Sequence, residues 1–475
     1  MQAKNVICLI IFALMPSFLL GQVRAKVQRL ADKLGKNERL ESAHIGYAGS
    51  YSLVYDKYLK LSKMATTSEL VALVNHASPV VKGYVFMALV NRKYDNLNVL
   101  FTKELESNNT VETLSGCSGM TETTASVIYW QLRNQRYFEK TLLTKQSIEK
   151  ALFEVEEIVI NSDTINRSLL YYVLENFKPQ EKHHARLRAI AIRDGDYSSL
   201  MALARLKKEE DIDFILSFGK VNFSAIAEFP HQRFWQFLLA NSKEFNNDAY
   251  QKAVSQYCNE EALNLLFNCL DTLERIPDKS YDNSSLKTFY RNIHERDCPL
   301  YDSILLRMWE KNKIISELVF NRFKDKYKND FPRIMLNGML EKGFFLFPHD
   351  AYGQNNPKLL KEILTITKNQ SIQNWQDVVS FNIKELSGSE MINFVEILSE
   401  KERLDFKPVF LENMQKAEYA LDLHSNLVYL LETGDKSFEE TIVKILQEKR
   451  KIWDNGNWAK HFRETIKKYK LPVKL

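Results

Sequence analysis

Glycine and proline are scarce in this chain, 15 and 11 among 475 residues. β-rich and doubly wound proteins need turn glycines at their strand ends, so the shortage argues against both classes. The phosphate-loop and dinucleotide fingerprints GxxxxGKS/T and GxGxxG are missing, and few glycines remain to build degenerate versions. HExxH is missing too, which removes the strong zinc signature. Of five cysteines, Cys8 lies in the opening apolar run, and the remaining four are too few for a disulfide scaffold in a chain this long. Beyond the opening run no segment is apolar enough to span a bilayer, which takes about 20 apolar residues. No run of alternating apolar and polar residues announces a sheet.

What remains is a composition rich in leucine, lysine, glutamate and phenylalanine, 45% hydrophobic and 26% charged, which favours a folded all-α protein. The first residues have a targeting pattern: Lys4, then the apolar Val6–Gly21 run interrupted by Pro16, then small residues at Gly21 and Ala25. This order predicts a signal peptide within residues 1–25, with 1–21 or 1–25 removed, and an exported, periplasmic or secreted protein. Export permits disulfides, and Cys117, Cys258, Cys269 and Cys298 allow three pairings. Cys258 and Cys269, eleven apart, could meet across a helical hairpin or remain buried free thiols.

The stretch TTSELVALVNHASPVVKGYVFMALVNR (66–92) contains two helical segments. In the first, Glu69 favours the helix start and Leu70, Leu73 and Val74 share a face. Ser78 then serves as N-cap and Pro79 as the first helical residue, where its missing N–H costs nothing. Val81, Val85, Ala88 and Leu89 fall on one face of the second segment. Two short helices joined so tightly cannot bury both apolar faces on each other; they need further layers. Over residues 67–92 the pattern resembles a HEAT repeat, whose second helix opens with proline, a valine and a basic residue, here Pro79 and Val81-Lys82. The chain departs from that pattern with lysine for arginine, Val85 for alanine and Asn75 for the turn aspartate. The resemblance implies an armadillo-like α-solenoid of stacked antiparallel helix pairs, less regular toward the C-terminus. Residues 184–218 repeat the helix periodicity around Asp194-Gly195-Asp196, Pro230 and Pro299 each mark a helix start, and the stretch from Pro357 is amphipathic. Gly434 reads as a helix C-cap. The expected organisation is a signal peptide (1–25), N-terminal HEAT-like repeats (26–135), central repeats (136–285) and a C-terminal helical region (286–475). Residues 96–124, with a polar, glycine-bearing centre at 106–119, are expected to form the longest loop of the N-terminal third.

Candidate chemistry is thin. His183-His184 points two rings about 100° apart on a helix, so a solvent-facing helix start is expected, not a metal site. His294 and Cys298 in HERDC have the four-residue spacing of a thiol–imidazole pair, but Pro299 biases Cys298 out of the helix, and packing at a helix junction is expected instead. In SGCSG (115–119) the glycines could shape an anion nest or expose a thiol, but no strand is expected before it, and a loop with a buried cysteine is the plainer reading. Asp194-Gly195-Asp196 starts like a calcium loop, then runs out of ligands at Leu200 and Met201. No catalytic residue, cofactor or metal ligand is assigned.

Charge is concentrated at one end. Residues 441–475 hold ten Lys/Arg against Glu448, Asp454 and Glu464, a formal +7, which leaves −2 for everything before them. Trp453 and Trp458 interleave with those cations, as an anionic membrane surface would favour, yet Ile445, Leu446, Ile452 and Trp453 recur at helical spacing, as a closing layer requires. The sequence therefore points to a non-enzymatic scaffold that binds a protein or peptide on the concave face of a repeat array. Peripheral contact with anionic membrane through residues 441–475 is the secondary partner, and nucleic acid is disfavoured by export. The alternatives are an exported enzyme on an all-helical scaffold and an envelope structural protein docked by its basic end.

Overall fold

A computed structural model describes residues 23–46, 49–138, 142–163, 167–275, 284–340, 356–386, 388–454 and 458–473. The chain is predominantly helical with one small sheet. It divides into two compact units, residues 1–229 and 230–475. The expected boundaries near 135 and 285 fall inside the helices Thr124–Phe138 and Ser284–His294.

In the first unit the helices Thr67–Leu73 and Pro79–Asn91 form as their local signals direct. Thr66 and Glu69 close a capping box, and Pro79 takes the first helical position, although the Ser78 side chain makes no capping bond. Val81, Val85, Ala88 and Leu89 are all buried, and so are Val80, Tyr84, Phe86 and Val90. A helix apolar all round needs cover on every side. That cover comes from the helices Thr67–Leu73 and Thr124–Phe138, with the Leu53–Met64 helix stacking Tyr58 on Tyr84 at 4.8 Å. The remaining side is covered by a sheet.

That sheet is the exception in a fold expected to be all-α, which the chain broadly is. Four strands, β1 (Arg39–Ile45), β2 (Ser50–Tyr51), β3 (Thr110–Gly116) and β4 (Ser118–Thr123), are ordered β2-β1-β3-β4. β1 and β3 are parallel; the outer pairs are antiparallel. Residues 96–124, expected as a loop around 106–119, are the Leu97–Ser107 helix followed by the β3–β4 hairpin. Alternation failed as a signal because β1 and β3 each bury a single residue, Leu40 and Val111. Gly83 lets the sheet approach: a Cβ there would lie 2.4 Å from Leu40 Cδ1. Tyr84 pins the same strand, its hydroxyl donating to Glu41 O (2.9 Å) and accepting from Glu41 N (2.8 Å). Buried Glu104 ties the hairpin base to the helices, accepting from Thr124 Oγ1 (2.6 Å), Asn109 Nδ2 (2.9 Å) and Lys82 Nζ (3.4 Å).

Past the hairpin, packing is between near neighbours in sequence. Thr124–Phe138 packs on Leu142–Asn161, which packs on Arg167–Asn176; that helix packs on Tyr197–Ala204, which in turn packs on Phe223–Glu228. The second unit behaves likewise: Asp302–Asn312 packs on Phe331–Leu340, which packs on Pro357–Gln370 and Ile372–Glu385. Ile372–Glu385 meets Lys407–Lys416, which packs on Ala420–Glu432. A recurring device locks alternate helices together, across the helix between them. The last carbonyls of a helix have no intrahelical partner and carry partial negative charge, and a cation from a later helix reaches back to them. Arg92 donates to Ala65 O (2.7 Å), Arg186 to Ile160 O (2.8 Å) and Arg205 to Leu174 O (2.9 Å) and Glu175 O (2.7 Å). In the second unit Lys449 donates to Ala417 O at 2.7 Å.

Candidate functional site

His183 and His184 do not face solvent as a pair. His183 is 3% exposed: its Nδ1 accepts from Gln180 N (2.8 Å) and its Nε2 meets Glu157 Oε1 (3.0 Å), with the ring edge-on to Phe177. His184 Nε2 lies 2.7 Å from Asp211 Oδ2, and buried Asp211 also pairs with Arg188. The rings diverge, as adjacent residues do, but each lands on its own carboxylate. The expectation of a solvent-facing helix start fails because Glu157 and Asp211 come from the elements before and after, which a local pattern cannot show.

HERDC does not assemble a thiol–imidazole pair. Ahead of Pro299, Cys298 is extended (φ −134°, ψ 106°) and leaves the helix. Its sulfur bonds Cys258, with Cα atoms 5.6 Å apart, so the Cys258–Cys269 alternative is not formed. Cys269 instead lies with Ala262, Leu266, Leu270 and Leu273 on the buried face of the Glu260–Arg275 helix, and burial pushes its thiol up to about 12. A thiol so rarely ionised is a poor nucleophile. His294 stacks on Tyr290, and burial lowers its affinity for a proton.

SGCSG holds the tip of the β3–β4 hairpin, with Ser115 opposite Ser118 and Gly116-Cys117 as the two-residue turn. Gly116 has φ 54°, which favours glycine. Cys117 is exposed, contrary to the buried cysteine expected. The strand preceding it went unrecognised, yet the cysteine is followed by β4 and not by the helix a nucleophile elbow needs. Asp194-Gly195-Asp196 is a helix-to-helix turn: Gly195 takes the left-handed cap (φ 61°), and Asp196 accepts from Ser199 N and Ser198 Oγ, both at 2.9 Å.

One interior polar network carried no sequence signal. Tyr129 Oη donates to Glu156 Oε1 (3.3 Å) and accepts from Arg133 Nη1 (3.2 Å), while Arg133 Nη2 donates to Asn176 Oδ1 (2.8 Å). Glu156 is 6% exposed, and burial pushes its carboxyl up to about 7 despite the nearby guanidinium. A carboxyl near half-protonation at neutral pH is what a general acid needs. This one lies on the Leu142–Asn161 helix and meets Tyr129 of Thr124–Phe138, in an interior pairing that ties the two helices together.

Two hollows lined by described residues are small. One of about 130 Å³ is lined by Val90, Leu97, Ile148 and the mixed charges Lys93, Asp95, Lys150 and Glu154. Another of about 270 Å³ lies among Glu400, Arg403, Tyr429 and Glu432. Both fall below the ~300–1,000 Å³ of ordinary small-molecule sites. Among the described residues, no group of three or more His, Cys, Asp or Glu is placed to hold a metal ion, and no helix is long and apolar enough to cross a membrane. No protein-family model, curated protein or solved structure matches the chain.

Two open surfaces remain. β4 is an edge strand whose residues Ser118, Gly119, Met120 and Thr121 are exposed. It carries neither proline nor lysine, the residues that usually protect edges. At the other end, Trp453 is fully buried with its indole donating to Leu446 O (2.7 Å), and Ile445, Leu446, Phe462 and Ile466 are buried around it. The cations point outward: Lys460, Lys467, Lys468 and Lys470 are exposed, and Arg450 and Arg463 both pair with Asp454.

Proposed function

We propose that this chain is an exported, HEAT-like helical-repeat protein that binds another protein or peptide along the face of its helix array and is not an enzyme. The observation that carries the reading is the packing, past the hairpin, of helices on near neighbours in sequence, with cations that reach back to the end of the helix two before their own. Helices that pack mainly on near neighbours suit a repeat-like row within each unit, and the exposed face of such a row suits a macromolecule. Supporting it, His183, His184, Asp211 and Glu104 are held in cross-element pairs that tie helices together. The basic terminal segment acts in this reading as the closing layer of the array, with Trp453 inward and Lys460, Lys467, Lys468 and Lys470 in water.

The test is recovery of partners from an envelope extract on the immobilised mature chain, run beside a broad hydrolase substrate panel. One partner recovered in stoichiometric amount, and released by charge reversals confined to a single helix face, is the expected result. Turnover abolished by one side-chain change would overturn the proposal.

A further inference from the structure

The two edges of the small sheet differ in how they are protected. β2 is two residues long, and a very short edge strand is one way proteins avoid unwanted pairing. β4 runs six residues, and its register with β3 is unbroken from Thr110↔Thr123 to Ser115↔Ser118, with no bulge to twist the edge away. Because the turn holds two residues, Ser115 and Ser118 exchange backbone bonds, and so do Thr113 with Met120 and Val111 with Glu122. The N–H and C=O groups of Gly119 and Thr121 therefore point away from β3. Among the described residues no other backbone takes them up, and both residues are exposed.

The charge along that edge has one sign. Residues 109–123 contain Glu112 and Glu122 and no Lys, Arg or His. Among the described residues neither carboxylate has a cation partner. Side chains alternate along a strand, so Glu122 shares a face with Met120. Thr121 lies on the other face, where its hydroxyl donates to Glu112 Oε1 at 2.5 Å. A strand added to β4 would meet a carboxylate on each of its faces, and Met120, 53% exposed, as an apolar contact. Burial, the largest cause, raises the Glu122 carboxyl above its ordinary range, and a neighbouring cation would favour its charged form. A second copy of the chain is a poorer occupant, since it would bring the same two carboxylates to the edge. We propose that the β4 edge binds an extended peptide segment bearing Lys or Arg by strand addition. Backbone bonds to Gly119 and Thr121 supply the pairing, and Glu112 and Glu122 select the basic side chains. This surface is separate from the helix face proposed above, and it stands or falls without that reading.

The experiment is fluorescence polarisation with the purified protein and three fluorescein-labelled peptides of about eight residues, long enough to span a strand. One alternates lysine with valine, one alternates glutamate with valine, and one is the lysine–valine peptide N-methylated throughout, which keeps its charge and removes its backbone donors. Saturable binding of the first, at least about tenfold tighter than either of the others, is the expected result. Thr121→Pro, whose lost N–H points away from β3, should weaken that binding about tenfold and leave the thermal midpoint in place. Glu112→Gln combined with Glu122→Gln should weaken it by a similar factor. Equal affinity for the N-methylated peptide would reduce the interaction to charge alone and overturn strand addition. Absence of saturable binding, a preference for the glutamate peptide, or unchanged affinity in a folded Thr121→Pro chain would overturn the proposal. A concentration-dependent dimer of the parent that Thr121→Pro dissolves would overturn it too, by giving the edge to a second copy. Should Thr121→Pro fail to fold, the peptide comparisons on the unmodified protein still decide.

Discussion

A methyl group added at Gly338 would lie 2.2 Å from Trp309 Cε2, 2.4 Å from Nε1 and 2.6 Å from Cζ2. Carbon atoms in good contact stand about 3.5–4.0 Å apart, so the indole would have to retreat by more than about 1 Å. It has little freedom to do so. Trp309 is 1% exposed, and its Nε1 donates to Ile334 O at 2.9 Å, one turn before Gly338 in the Phe331–Leu340 helix. Gly338→Ala should therefore incur an overpacking cost of about 1–3 kcal/mol and lose a buried hydrogen bond worth about 1 kcal/mol. Alanine's better helix propensity returns about 1 kcal/mol. The net expectation is a loss of about 1–3 kcal/mol, read as a lower urea midpoint by tryptophan fluorescence with an unchanged slope. Gly83→Ala is the matched comparison: its methyl would meet the far end of the flexible Leu40 side chain, so its loss should be smaller. A Gly338→Ala midpoint at or above the parent's, or a Gly83→Ala loss larger than it, would refute the close-approach reasoning.

Val85→Asp should destabilise by about 3–5 kcal/mol, because Val85 is fully buried and a charge there must be paired or neutralised; an unchanged denaturation midpoint would remove Val85 from the core. Glu156 binds its proton more tightly folded, near 7, than a carboxyl's ordinary 4.5, so its contribution falls as pH rises from about 4.5 to 7. At about 1.4 kcal/mol per unit the loss is bounded near 3.5 kcal/mol. Glu156→Gln should thus gain stability relative to the parent between pH 5 and pH 8, and parallel pH profiles would count against a protonated interior carboxyl. Cys298→Ala opens a loop closed across 40 residues, which chain entropy values at about 4 kcal/mol; thermal unfolding of the second unit should shift down sharply, and reduction of the parent should reproduce the shift. Reversing Lys467, Lys468 and Lys470 to glutamate should leave circular dichroism and anionic-vesicle co-sedimentation unaltered, since these side chains stand clear of the buried closing layer. Strong vesicle binding by the parent, weakened by salt and lost on reversal, would instead make this end a lipid-docking surface.

What could be read from the sequence follows the range of the interactions involved. Pro79 at a helix start, the Glu69 capping box and the spacing of Val81, Val85, Ala88 and Leu89 are events within one or two turns, and the helices they announce are where they were expected. The disulfide was half legible: Pro299 showed that Cys298 leaves its helix, but only the fold brings Cys258 to it. The histidine pair misled because its partners, Glu157 and Asp211, arrive from other helices.

The sheet is the instructive failure. β1 and β3 are parallel neighbours separated in sequence by β2 and the four helices Leu53–Met64, Thr67–Leu73, Pro79–Asn91 and Leu97–Ser107, so no turn links them and no local pattern pairs them. With one face largely wet and a single fully buried residue in each, they alternate too weakly to register as strands. Their trace in the sequence lies elsewhere, in a glycine and a tyrosine at the centre of an otherwise strong helix. Gly83 is a poor helix residue that makes room for Leu40, and Tyr84 is a polar-tipped residue whose hydroxyl meets both backbone groups of Glu41. A helix that tolerates glycine at its middle and a buried tyrosine beside it has a backbone packed against it there. The pair sits inside the stretch with the HEAT-like pattern, at the very residues following Lys82, so the departure from an all-helical fold was written into the stretch that most suggests one.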